Sequence, residues 1–293
     1  CVNGIVCTRD PISELFCFLW GSAHKRESES SGAGADLAGA PMLGRPFTGC
    51  LVSRGIPGVL AGVPDLTRAG SPLLSVVVVV KNGLPLLERC LRSLEKQSFD
   101  DFEVVLIDGG SDDGSVEIEK QYSQLFAHHL VERDQGIYEA MNKGVALSRG
   151  RFVGFLNADE CLEDDALSRI ADVLGKTSGL AFTVGTILIE DEHGNPIAER
   201  RLFPNLHRSW RRFFRMPGCH MTVYASREAW DCLGGFDVRF PIRADHELVL
   251  RMMDAGYREC PVSQPLGRYR LGGASDGIGR LEETALLTNR YKA

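Results

Sequence analysis

The chain has 293 residues, 44% apolar and 25% charged, ordinary values for a soluble globular protein of one large or two small domains. Its net charge of −6 argues against a general nucleic-acid binder. Nine cysteines, an odd number with no CxxC pair, argue against a zinc site or disulfide framework and point to a reducing, cytoplasmic setting.

Residues 1–70 hold 11 of the 32 glycines and 5 of the 13 prolines. Stretches such as "ESESSGAGADLAGAP" carry neither a strand nor a helix period, so this segment is expected to be a low-complexity, poorly ordered extension. Its apolar piece "ELFCFLW" lacks a basic flank and a cleavage site and does not read as a signal peptide. From residue 71 the texture changes. "LLSVVVVV", the longest apolar run, is far short of the roughly 20 residues that span a bilayer and reads as a strand buried on both faces. "PLLERCLRSLEKQ" has helical spacing, with Leu87, Cys90, Leu91 and Leu94 on one face. "FEVVLIDGG" is a second buried strand, "SVEIEKQYSQLF" a helix, "HHLVE" a short strand and "GIYEAMNKGVALSRG" a helix. "RFVGFLNADE" is another buried strand, and "EDDALSRIADVLG" a helix closed by Gly175. Strands alternating with helices imply a parallel, doubly wound α/β sheet. Beyond residue 179 the pattern loosens: a hairpin turning at residues 192–195, a strand in "HMTVYAS", short helices in "REAWDCLGGF" and "ADHELVLRMMDAG", a strand running into a glycine turn in "GRYRLGGAS", and a helical end.

Ligands of such sheets bind beyond the strands' carboxyl ends, and polar clusters converge there. "NADE", Asn157–Ala158–Asp159–Glu160, follows a buried strand. Oxygen ligands at i and i+2 can grip a hard divalent cation and leave positions open for phosphate; equally, Asp159 or Glu160 could charge the start of the next helix. In "DGGSDDGS", Asp108 could accept from a base N–H and Ser111 or Ser115 could cap the next helix, or the segment is an ordinary loop. It is neither a dinucleotide fingerprint nor a P-loop. Asp245 in "RADHELVLRMMDAG" suits both a helix cap and a general base.

Taken in order, "SVVVVVKNG", "RSLEKQSFDDFEVVLIDGGSDDGS", "ERDQGIYEAMNKGVALSRGRFVGFLNADE", "GCHMTVYASREAWDCLGGFD" and "IRADHELVLRMMDAGY" resemble the family 2 nucleotide-sugar-dependent glycosyltransferases, especially those of bacterial polysaccharide assembly. The resemblance covers residues 71–275. It implies a GT-A fold, a Rossmann-like and mostly parallel sheet flanked by helices, forming one catalytic domain over 71–293. It also implies roles. Asp108 resembles the acid that reads the nucleotide base, and Asp134 occupies another donor-pocket position. Asn157, Ala158 and Asp159 stand at the metal motif, with Asp159 the main ligand of Mn²⁺ or Mg²⁺. Asn157 is neutral where the family carries an acid, which implies weaker metal binding, with Glu160 placed to compensate. Asp245 matches the base that deprotonates the acceptor. His220 resembles a pocket position near acceptor or diphosphate, although a lone histidine is as easily structural.

The implied partners are a nucleotide-sugar donor, with UDP favoured, and a glycan or lipid-linked acceptor. The implied chemistry is a single in-line displacement with inversion. Arg208, Arg211, Arg212 and Arg215 in "NLHRSWRRFFR" suit either peripheral contact with anionic lipid or the wet face of an amphipathic helix. Two other classes remain open: a metal-dependent nucleotidyltransferase, poorly supported by "KNGLPLL", and a non-catalytic binding protein of the same fold, supported by Asn157.

Overall fold

A computed structural model describes residues 70–177, 180–191, 193–202, 210–270 and 279–291. The expectation for the N-terminal extension falls outside these residues, Gly70 excepted. Strand β1 (Leu74–Val80) is buried along its whole length, because it lies between β2 (Phe102–Asp108) and β4 (Phe152–Asn157) with helices on both faces. Both pairings are parallel, and β3 (Phe126–Val131) adds in parallel to β2.

Alternation along β1 divides the core in two. Val76, Val78 and Val80 face one layer with Leu87, Leu91 and Leu94 of α1 (Leu87–Glu95). Each of those leucines is worth ~1.5–3 kcal/mol relative to exposure. After α2 (Ser115–Gln121), helix α3 (Ile137–Leu147) covers the other face with Val77 and Val79. Gly144 lets α3 approach closely: a Cβ there would lie 2.2 Å from Val77.

In this half of the sheet every pairing is parallel; the other half mixes parallel and antiparallel pairings. After the two-residue β5 (Cys161–Leu162) and α4 (Ala166–Leu174), the chain enters β6 (Ala181–Glu190), which forms the expected hairpin with β7 (Pro196–Arg200). Asp191 holds the turn by accepting from the N–H groups of His193 and Asn195. Strand β8 (Ala225–Ser226) joins the halves, antiparallel to both β4 and β6. It precedes α5 (Arg227–Leu233), α6 (Ala244–Asp254), β9 (Arg258–Arg270) and α7 (Gly279–Tyr291). Strand β9 runs parallel to β6 and antiparallel to β5. The order is β3-β2-β1-β4-β8-β6-β9-β5, with β7 on β6.

The segment "HMTVYAS" departs from the strand expected. His220–Thr222 is a 3₁₀ turn and only Ala225–Ser226 is strand. Thr222 closes the turn through N–H and hydroxyl bonds to the Cys219 carbonyl. The glycine turn after β9 lies outside the described residues.

Candidate active site

The register puts Val80 opposite Asp108 and Val79 opposite Asn157, so three strands end in one row. Beyond that row lies a cleft of ≈ 890 Å³. Residues from separate segments meet in it: Lys81 to Leu84, Asp134 to Tyr138, Asn157 to Asp159, Cys219, His220 and Asp245.

Of the residues singled out in the sequence, Asp134, Asn157, Ala158, Asp159, His220 and Asp245 line the cleft; Asp108 and Glu160 stand behind its wall. Asp108 is fully buried. Its Oδ1 accepts from the N–H groups of Gly110 (2.8 Å) and Ser111 (2.7 Å). Behind it is Glu119, also fully buried, whose carboxyl is pushed up to about 8 by burial and by the adjacent Asp108.

The carboxylate that reaches the cleft from this side is Asp134. One oxygen accepts from the Gly136 N–H at 3.0 Å. The other occupies the space that a side chain at position 109 would fill, 2.3 Å from where a Cβ of Gly109 would stand.

Neither Ser111 nor Ser115 caps α2, whose N-cap is Gly114 in the left-handed conformation. Both instead bind the loop after β1. Ser111 Oγ accepts from Asn82 N–H (2.8 Å), Ser115 Oγ from Gly83 N–H (2.9 Å), and Asp113 Oδ2 from Leu84 N–H (2.9 Å). The "DGGSDDGS" motif thus braces "KNGLP", a wall of the cleft, in a way its composition alone does not disclose.

At the end of β4, Asn157 Oδ1 is buried with no partner among the described residues, as is Glu160 Oε1. The other Glu160 oxygen accepts from Asn157 N–H at 2.9 Å and lies 3.1 Å from His220 Nε2. Burial opposes charge on His220, but Glu160 and Cys219 together outweigh it and raise the imidazole well above its ordinary value. Asp159 is open to the cleft yet ringed by protein, which raises its carboxyl, and Glu160 adds to the effect. Two orphaned buried oxygens beside an accessible carboxylate form an oxygen donor set suited to a hard divalent cation. Cys219 also lies close, with one ligand atom each from Glu160, Cys219 and His220 within 4.8 Å of one another.

Asp245 lies in the first turn of α6. Its Oδ1 accepts from the His246 N–H (2.7 Å) and from the Tyr138 hydroxyl (3.1 Å). The single Tyr138 hydroxyl proton is shared with the nearer Ile242 carbonyl (2.8 Å). Burial, then the charge of Asp245, holds this phenol well above its ordinary value, so it stays a donor. The start of α6 is pinned from behind by Glu283 of α7, which accepts from the N–H groups of Ile242 (3.0 Å) and Arg243 (2.8 Å). Sequence reasoning missed Tyr138; its apolar-helix setting in "GIYEAMNKG" gave no sign of a partner more than a hundred positions away.

The basic stretch is only partly described: Arg208 and the side chain of Arg211 lie outside. Trp210–Phe213 is a 3₁₀ turn, and Arg212 is engaged by Asp254 at 2.7 Å. No helix among the described residues is long and apolar enough to cross a membrane.

A sheet of this order, a cleft at its strand ends and acids on both sides of that cleft are features of an enzyme that handles phosphorylated ligands. The glycosyl transferase family 2 profile matches residues 75–230, and the chain belongs to that family; it is a glycosyltransferase of GT-A fold. It is 31% identical over 192 residues to the PGL/p-HBAD biosynthesis glycosyltransferase of Mycobacterium bovis, covering 62% of this chain and 70% of the relative. It is 28% identical to the chondroitin synthase of Escherichia coli over 66% of this chain and 28% of that one. Among solved structures it resembles S. aureus TarS 1–349 in complex with UDP-GlcNAc, with a TM-score of 0.59 and 17% identity over 74% of this chain and 64% of that one. It also resembles the mannosyltransferase PcManGT of Pyrobaculum calidifontis in complex with GDP-Man and Mn²⁺, with a TM-score of 0.52 and 23% identity over 72% of this chain and 60% of that one. The chain thus spans less than two thirds of these structural neighbours.

Proposed function

We propose that residues 71–293 form one inverting glycosyltransferase domain. It would move a sugar from a nucleotide-diphosphate donor, UDP favoured, to a hydroxyl of a glycan or lipid-linked acceptor in cell-surface polysaccharide or glycolipid synthesis, on the cytoplasmic side. The observation that carries this reading is that Asp159 and Asp245, far apart in sequence, line one cleft at the strand ends.

Asp245 takes the proton from the attacking hydroxyl, and a single base suffices for an in-line displacement. Tyr138 and the His246 N–H orient that carboxylate. Asp134 and the braced 81–84 loop hold the nucleotide end of the donor. Asp159, with Asn157, would hold Mn²⁺ or Mg²⁺. The bound ion would offset charge on the departing diphosphate. His220, held by Glu160, adds a positive group to the same part of the cleft. The UDP-GlcNAc bound by TarS and the Mn²⁺ bound by the mannosyltransferase support the donor and metal assignments.

Nucleotide release from UDP-, GDP- and dTDP-sugars, with Mn²⁺ or Mg²⁺ and with EDTA, tests the reading. Metal-dependent release from one donor, lost in Asp159→Ala, is expected. The absence of both release and metal-dependent nucleotide binding with every donor would sink it.

A further inference from the structure

The cleft has two unlike walls. One is built from the loops after β1 and β3, where the proposed donor lies. The other is sheet. The register sets Ile187 opposite both Arg200 and Gly267, and Ile189 opposite Tyr269. Residues paired across strands share a face, as do i and i+2 along one strand. Arg200, Ile187, Ile189 and Tyr269 therefore stand on one face, and all four line the cleft.

The carboxylates of this region sit elsewhere. Leu188, Glu199 and Arg268 are paired one step along and take the opposite face. There Arg268 binds Glu163 (2.5 Å) and Glu190 (3.1 Å), and Glu199 pairs with Arg201 (3.2 Å). Among the described residues Arg200 has no such partner. It is a half-buried arginine on the same cleft face as two isoleucines and a tyrosine, a setting that favours a ligand able to supply the missing anion.

We propose that this wall is the acceptor subsite, and that Arg200 reads an anionic group, carboxylate or phosphate, carried beside an apolar or aromatic part of the acceptor. Ile187, Ile189 and Tyr269 contact that apolar part, and the guanidinium takes the anion in a charge-assisted pair. The assignment rests on reading the cleft as a glycosyl-transfer site.

The test is calorimetry and ligand-observed NMR with phenyl phosphate, benzoate and uncharged benzyl alcohol, on protein saturated with UDP. At least one anion is expected to bind about tenfold or more tightly than benzyl alcohol. A preference for phenyl phosphate points to a phosphate-bearing acceptor, and one for benzoate to a carboxylate-bearing acceptor. Arg200→Gln removes the preference, Arg200→Lys keeps part of it, and both bind UDP as wild type does. The proposal is overturned if the anions bind no better than benzyl alcohol, or fail to bind. It is equally overturned if Arg200→Gln keeps the preference, or if it loses UDP affinity, since the guanidinium would then serve the donor. Failure of the wild type to bind UDP strikes the donor reading instead, and the anion comparison without UDP still decides the role of Arg200.

Discussion

The hydroxyl of Tyr138 donates to the carboxylate of Asp245 at 3.1 Å, linking the first turn of α3 to the first turn of α6. That hydroxyl shares its one proton with the Ile242 carbonyl at 2.8 Å, so one side chain bridges the proposed base and the chain that leads into its helix. A base that must meet an acceptor hydroxyl within hydrogen-bond reach gains from such a fixed geometry.

Tyr138→Phe removes both bonds while keeping the ring packed on Phe236. A net hydrogen bond is worth ~1 kcal/mol, so kcat for transfer should fall about five- to tenfold. The donor KM should stay near wild type. An unchanged kcat would show that the bond does not position Asp245. Steady-state kinetics with the donor and acceptor varied separately reads the split.

Gly109→Ala places a methyl where Asp134 Oδ2 stands. The carboxylate must move, and the expected result is weaker UDP binding, by roughly tenfold if one charged hydrogen bond is lost. The thermal midpoint should change little, because Asp134 is at the cleft surface. Calorimetric titration with UDP measures the first quantity and thermal unfolding the second. Wild-type UDP affinity in this variant would remove Asp134 from the donor pocket.

Glu119 gives the fold a pH signature. Its folded value of about 8 lies above an ordinary 4.5, so between these values the native state binds more protons than the unfolded one. Stability from this group is therefore full below about 4.5 and is lost as pH rises toward 8. Asp108 and His129 flank the carboxyl, and His129 Nε2 is 2.8 Å from it. Glu119→Gln mimics the protonated acid, so its urea midpoint should decline less across that window than that of the wild type. Parallel curves for the two proteins would contradict the shared burial of Asp108 and Glu119.

The sequence makes half of the fold legible. In β1, β2 and β4, largely apolar runs report burial on both faces, and α1 shows its buried stripe at helical spacing. Those signals are local. Strand β8 has two residues and no period to read, and β9 pairs with residues of β6 almost eighty positions away. Both are fixed by tertiary pairing, which is why the order and direction of the strands in the mixed half of the sheet could not be read locally. The candidate site divides in the same way. Asp159 and Asp245 stand out as acids at element ends within ordered family motifs. The inward turn of Asp108, the bracing of residues 82–84 by Ser111, Asp113 and Ser115, and the pairing of Glu160 with His220 depend on side-chain direction, which composition does not carry.

The measurement that bears most directly on the central claim compares Asp245→Asn with wild type in single-turnover transfer, alongside UDP binding. The substitution keeps the shape and removes the base. UDP affinity unchanged, with transfer slowed by about 10² or more, is the predicted result. Transfer at the wild-type rate with UDP bound normally would contradict the assignment of Asp245 as the base that activates the acceptor.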